Sequence, residues 1–289
     1  MRRTLAVTIC CLAGASLSWG DTPLQQAAAA RWRDQVYTLR TWVAGNEIQI
    51  DDQGKLLYGG KSVAWTVSRF QVQRVSVGRD KIELRGNRIG LLYDNSRHDL
   101  VNVRLAPLTV VVRIDTAKLQ PNDVDRLTSV LFITETAQLA AILPDSWKAY
   151  VTGRIKAQDD GKGRQHYYLP DEPNARRGAA PKLEPIGAAA SGEEIFRITD
   201  EITPPVGLKT PDPSYDEFAR SLRVQGQTVL AVVVGADGSV RDAQIARPLG
   251  MGLDDRAIEA VRGWRFRPAT KDGKPVTVQI NVEVNFRLY

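Results

Sequence analysis

The chain has 289 residues, of which 43% are hydrophobic and 25% charged, with a formal net charge of +6. That length exceeds one ordinary core and points to two domains, and the composition excludes an intrinsically disordered chain and a bundle of membrane-spanning helices. The basic residues are scattered rather than massed, which argues against a nucleic-acid partner.

Arg2 and Arg3 precede an apolar run from Leu5 to Leu17, closed by Ser18-Trp19-Gly20 before Asp21. A basic start, an apolar stretch of this length and a small-x-small end are the marks of a cleaved export leader, residues 1–20. A retained membrane anchor is the rival reading, although the run is short for a bilayer and carries Thr8, Gly14 and Ser16. No later segment of the sequence is apolar enough to span a membrane. Cys10 and Cys11 both lie in the leader, so the mature chain is expected to offer no thiol for a disulfide, a nucleophile or a metal. Without Arg2 and Arg3 there remain 37 basic against 33 acidic residues, a charge of +4.

From residue 36 to 116, short apolar stretches alternate with turn chemistry. Stretch 46–50 precedes Asp52-Gln53-Gly54, 70–77 precedes Gly78-Arg79-Asp80, and 82–85 precedes Gly86-Asn87; stretches 89–93, 101–105 and 109–114 follow. The pattern predicts consecutive antiparallel strands, a β meander forming a small sheet or barrel. After Pro121, Asn122 or Asp123 is placed to cap a helix carrying Val124, Leu127 and Leu131, and a second helix over 135–143 stops at Pro144. Residues 21–156 therefore read as an antiparallel β-rich domain ending in two helices, its ligand unknown. Residues 157–192 hold Pro170, Pro173, Pro181, Pro185, several glycines and an alanine run. They read as a flexible linker that lets two domains act at separate places.

In the remaining stretch, 193–289, Tyr215, Phe218, Ala219 and Leu222 fall at i, i+3, i+4 and i+7, one stripe of a helix over 213–223. Residues 227–234 and 240–247 predict a hairpin turning at Asp237-Gly238. Asp254 is placed to cap a second helix with Ala257, Val261 and Trp264 buried, Leu253 and Ile258 forming a hydrophobic staple, and Pro268 as its stop. The last strand is the plainest: Val276, Val278, Ile280, Val282, Val284, Phe286 and Leu288 alternate with Thr277, Gln279, Asn281, Glu283, Asn285 and Arg287. The order helix, strand, strand, helix, strand predicts an α+β domain with a three-stranded antiparallel sheet and helices on one face.

These residues carry a resemblance. The segments PDPSYDEFAR, VQGQTVLAVVVGADGSVRDAQI, GLDDRAIEAVRGWRFRPATKDGKPV and VEVNF, within residues 203–289, are similar throughout to the TonB C-terminal domain family. The resemblance implies a periplasmic domain that grips an extended peptide, the TonB box of an outer-membrane transporter, by adding it as a strand to the sheet. Tyr215 and the strand residues from Val276 through Asn285 are then the partner-binding candidates. The sequence departs from the family where Asp216 follows the tyrosine in place of a common proline, and in its cleavable leader, where TonB proper keeps an anchor coupled to ExbB and ExbD.

No nucleophile and base, metal set or phosphate loop assembles in the sequence. Gly250-Met251-Gly252 lacks the third glycine of a dinucleotide loop, Asp255 standing in its place, and follows a hairpin strand. His98 and His166 fall in separate predicted loops. Asp51-Asp52, Asp159-Asp160 and Asp254-Asp255 suit turn and cap roles, and Trp264 and Phe266 suit the core. The expectation is a non-enzymatic envelope protein without cofactor or metal that binds a transporter or other envelope partner. Two other readings stand beside it: an anchored energy transducer coupled to an ExbB/ExbD-type motor, and a ligand-binding β domain whose TonB-like part dimerises through the last strand.

Overall fold

The computed structural model describes residues 22–154, 156–159, 165–168 and 194–288. The leader, and most of the segment read as a linker, lie outside the described residues.

The N-terminal region opens with α1 (Pro23–Trp32), which the sequence reading missed: Thr22 caps it, accepting from Gln25 N, and Leu24, Ala28 and Trp32 are buried. Strands β1 (Val36–Leu39), β2 (Glu47–Asp51), β3 (Leu56–Tyr58), β4 (Arg69–Val77), β5 (Lys81–Asp94) and β6 (Asp99–Arg113) follow, then α2 (Asp123–Leu131), β7 (Phe132–Ile133), α3 (Thr136–Ile142) and α4 (Asp145–Val151). The strands form one seven-stranded sheet in the order β3-β2-β6-β5-β4-β1-β7. Only β4-β5-β6 is a meander; β2 pairs with β6 in parallel, so the expected run of purely antiparallel neighbours is corrected.

The expected turn at Gly86-Asn87 is also corrected, because both residues lie inside the 14-residue β5. Gly86 sits beside a register shift between Val72 and Arg74, and a Cβ there would strike the Gln71 carbonyl oxygen. A strand glycine thus marks close backbone approach rather than a reversal. Likewise 101–105 and 109–114 are one strand, β6, through Pro107, with an irregularity opposite it between Asn87 and Ile89. Pro144, read as a stop, also opens α4, since its lost N–H is free of cost in a helix's first turn.

Within the segment read as a linker, β8 (Lys156–Asp159) and β9 (Gln165–Tyr168) pair as an antiparallel hairpin. The C-terminal region continues with β10 (Ile195–Arg197), β11 (Ile202–Thr203), β12 (Val206–Lys209), α5 (Glu217–Ser221), β13 (Gly226–Val234), β14 (Val240–Arg247), α6 (Leu253–Arg262), β15 (Arg265–Arg267), β16 (Ala269–Lys271) and β17 (Lys274–Phe286). The antiparallel order β17-β13-β14 is the expected three-stranded sheet, with β10 and β16 added beside β17 and β11 beside β16. Helix α5 is shorter than expected: Asp216, accepting from Phe218 N, caps it, and Leu222 is 45% exposed rather than part of the buried stripe.

The two regions share one core. Trp65, Val67, Leu91, Leu143 and Trp147 cluster with Leu230, Ile245, Met251, Ala257, Val261 and Val284. Along the seam the backbones pair: Tyr93 N donates to Leu249 O and Met251 N to Leu91 O, both at 2.9 Å. This close approach needs Gly250 (φ 95°), Met251 (φ 56°) and Gly252 (φ 78°) all in the left-handed region, where only glycine is free of a steric cost. Gly252 N also donates to the Thr66 hydroxyl at 2.9 Å, and a Cβ on Gly90 would collide with the Met251 sulfur. We expect Gly250→Ala, whose methyl would strike the Leu91 carbonyl, to lower stability by about 2 kcal/mol or more, read by urea denaturation.

Candidate partner-binding edge

Strand β17 runs antiparallel to β13 from Val278 opposite Val234 to Phe286 opposite Gly226. On its other side, β16 pairs with Lys274 to Val276 and β10 pairs in parallel with Thr277 to Gln279. The candidate residues therefore divide. Val276, Thr277, Val278 and Gln279 belong to a stretch of β17 whose outer side is taken by the protein's own strands. Ile280, Asn281, Val282, Glu283, Val284 and Asn285 have β13 on one side and, among the described residues, no strand on the other. Val282, Val284 and Phe286 are buried on one face, while Asn281, Glu283 and Asn285 are exposed on the opposite one. Backbone groups along residues 280–286 are thus held extended by the β13 ladder and by three anchored side chains, which is the geometry of an edge that accepts another strand.

Tyr215 stands at the end of this run. Its ring meets Phe286 edge-on, centroids 5.5 Å apart at 87°, and its hydroxyl donates to Val224 O at 2.9 Å. Asp216, where the family pattern commonly has proline, is buried as the α5 cap, and burial pushes its carboxyl above the usual range. The Arg88 guanidinium, fully buried, donates to the carbonyls of Val67, Val43 and Gly45 and lies 5.6 Å from the Phe218 ring centre. Burial lowers its pKa to about 10; it links the N-terminal sheet to α5.

The opposite border of the sheet, β14, has α4 against it. Ala149 of α4 packs with Val229, Ala231 and Ala246, and Trp147 enters the shared core and donates through Nε1 to Asp255 at 2.8 Å. Trp147, Thr66 and Gly90 are the residues that reading by motif did not single out; Gly90, a glycine inside a strand, was the available signal.

Asp254 is not the helix cap expected of it. Gly252 holds the cap position of α6, and Asp254 turns back, accepting from Leu249 N and Gly250 N at 2.7 Å each. Burial is the main cause that raises its pKa to about 7, against the lowering effect of those backbone donors. Asp255 is raised by burial too, opposed by the Trp147 bond. Among the described residues, no three His, Cys, Asp or Glu side chains are grouped to hold a metal. His98 lies in the β5–β6 turn at φ 53°, and the His166 side chain is outside what is described.

The C-terminal region is accordingly an α+β module with α4 packed against β14 and, among the described residues, no outer strand along residues 280–286 of β17. Residues 211–288 match the family model described as Gram-negative bacterial TonB protein C-terminal. Over 77 residues the chain is 31% identical to Protein TonB of Vibrio cholerae serotype O1, a match covering 26% of this chain and 32% of that protein. It is 30% identical over 99 residues to Protein TonB of Escherichia coli K12, covering 34% and 41% respectively. A solution NMR structure of the Pseudomonas aeruginosa TonB CTD shares 21% identity, with 32% of this chain and 94% of that chain covered and a TM-score of 0.25. The chain thus spans between 32% and 41% of the length of these two curated relatives, and the resemblance seen in residues 203–289 is shown for the TonB C-terminal part.

Asp254 carries a pH dependence. Its folded pKa, about 7, lies above the ordinary 3.8. The folded state therefore holds a proton that the unfolded state releases between those values, and this stabilisation is complete below about 4 and lost as pH rises through about 7. We expect the stability difference between wild type and Asp254→Asn to shift in favour of wild type by up to about 1.4 kcal/mol per pH unit as pH falls from 7 to 4, read by denaturation at several pH values.

Proposed function

We propose that this is a periplasmic protein that acts by binding, its C-terminal module adding an extended segment of an envelope partner as a strand along residues 280–286 of β17. The partner class favoured is the exposed peptide segment of an outer-membrane transporter. The observation that carries the reading is the half-open border: one side of residues 280–286 is locked to β13 and, among the described residues, the other has no strand. The match of residues 211–288 to the TonB C-terminal model supports the choice of partner. Backbone hydrogen bonds would supply attachment, and the alternation of exposed Asn281, Glu283 and Asn285 with buried Val282, Val284 and Phe286 would set which side chains of the guest meet which face. Among the described residues no helix is long and apolar enough to cross a membrane.

A peptide from a transporter N-terminus should slow hydrogen exchange at alternate amides within 280–286, those facing outward, and leave residues 277–279 unchanged. Asn281→Pro should weaken its binding at least tenfold with the circular dichroism spectrum retained. A folded variant that binds as wild type does would refute strand addition at this border.

A further inference from the structure

A second feature of the seam is a cleft of about 600 Å³ where the β5–β6 turn of the N-terminal sheet faces the ends of β13, β14 and β17. That volume is in the range of small-molecule sites. Its polar walls are Tyr93 and Asn95 from one region and Gln225, Gln227, Arg247, Asn285 and Arg287 from the other, with Leu92, Leu249 and Phe286 as its apolar part. Neither aspartate nor glutamate lines it, so two guanidinium groups face the cleft without a carboxylate among its walls. Arg247 is half-buried, and its Nε is shielded from solvent with no hydrogen-bond partner.

Tyr93 lies within the field of Arg247: burial raises the pKa of its phenol and Arg247 opposes the rise, while Asp99, an exposed residue outside the cleft walls, adds to it. The phenol stays protonated at neutral pH and is available as a donor, as are the amides of Asn95, Gln227 and Asn285. Forked guanidinium donors, amide N–H groups and a phenol over a partly apolar floor make a set of donors matched to oxyanions, and a concave site lined by one sign of charge concentrates ions of the other.

We propose that this cleft binds the oxyanion group, carboxylate or phosphate, of a small anionic solute, with Arg247 and Arg287 as its two cationic contacts. The site needs both regions, since Tyr93 and Asn95 come from the β5–β6 end and the arginines from the C-terminal module. It meets the strand-addition border only at Asn285 and Phe286; its two cationic contacts, Arg247 and Arg287, lie outside residues 280–286, so Arg247→Gln and Arg287→Gln test it without touching that border.

The test titrates the full chain calorimetrically at low salt with citrate and, separately, with inorganic phosphate. Saturable binding of at least one with a Kd below about 1 mM is expected, weakened at least tenfold in Arg247→Gln and in Arg287→Gln and unchanged in Arg85→Gln, an exposed arginine on β5 paired with Glu83. Binding of citrate alone would identify a carboxylate ligand, and binding of phosphate alone a phosphoryl one. Should Arg247→Gln fail to fold, Arg287→Gln alone decides. Absence of saturable binding by either anion, or binding that survives loss of the cleft arginines, or equal loss in Arg85→Gln, overturns the proposal.

Discussion

The backbone contact between residues 91–93 and residues 249–251 is the constraint on which the arrangement of this chain depends. Two main chains can lie at hydrogen-bonding distance only where no side chain intervenes, and here that demands three consecutive residues at positive φ and a glycine on each side of the seam, Gly90 and Gly250. Asp254 then fastens the loop by accepting from Leu249 N and Gly250 N, Thr66 accepts from Gly252 N, and Met251 fills the space left by Gly90. Each bond alone nets about 1 kcal/mol. Together with the tryptophan pair Trp65 and Trp147, centroids 5.1 Å apart, they make the C-terminal module one core with the N-terminal sheet.

That union decides which border of the C-terminal sheet is accessible. A bare three-stranded sheet has two edges, each a template for pairing. Here α4 lies along β14, its Trp147 bound to Asp255 and its Ala149 against Val229 and Ala246. At the other border β10 and β16 take the first part of β17, leaving residues 280–286. Among the described residues, one stretch of β17, residues 280–286, is left without an outer strand, and an edge of that kind is a template for pairing.

Much of the C-terminal module was legible because its signals are local: the DG turn at Asp237-Gly238, the seven-fold alternation through Leu288, and Ala257 and Val261 on one face of α6 each encode their element within a few residues. Trp264 is buried as expected but lies beyond α6, which ends at Arg262 with Gly263 as its cap rather than running on to Pro268. What failed was tertiary in origin. Gly86 and Pro107 carry turn chemistry yet sit inside long strands, because a bulge absorbs each of them, on the partner strand β4 beside Gly86 and within β6 itself beside Pro107. Asp254 stands where a cap would stand, but the loop before it needed two acceptors more than the helix needed one. The three-residue β10 has no periodicity to read, and it changes the candidate site most, since the pairing of Ile195, Phe196 and Arg197 removes Thr277, Val278 and Gln279 from the accessible border. The role of Gly250-Met251-Gly252, backbone docking across the seam, is invisible without the partner strand.

Under the proposed strand addition, the length of the open stretch bounds how tightly it would hold a guest. A strand laid along seven residues makes roughly seven backbone hydrogen bonds, worth about 0.5–1.5 kcal/mol each, against an association cost of about 4–15 kcal/mol. The backbone alone therefore yields weak attachment, and affinity must come from side-chain burial at the ends of the strand. Tyr215 against Phe286 supplies an apolar corner at one end, and the β10 junction at Gln279 closes the other. A guest that extended past Gln279 would have to displace β10, breaking the burial of Ile195 and the contact of Lys271 with the Phe196 ring. The register of a strand bound in the proposed way would be limited by the protein's own chain at one end and by an aromatic pair at the other, so that selection among guests would rest on length and terminal side chains more than on the backbone they all share.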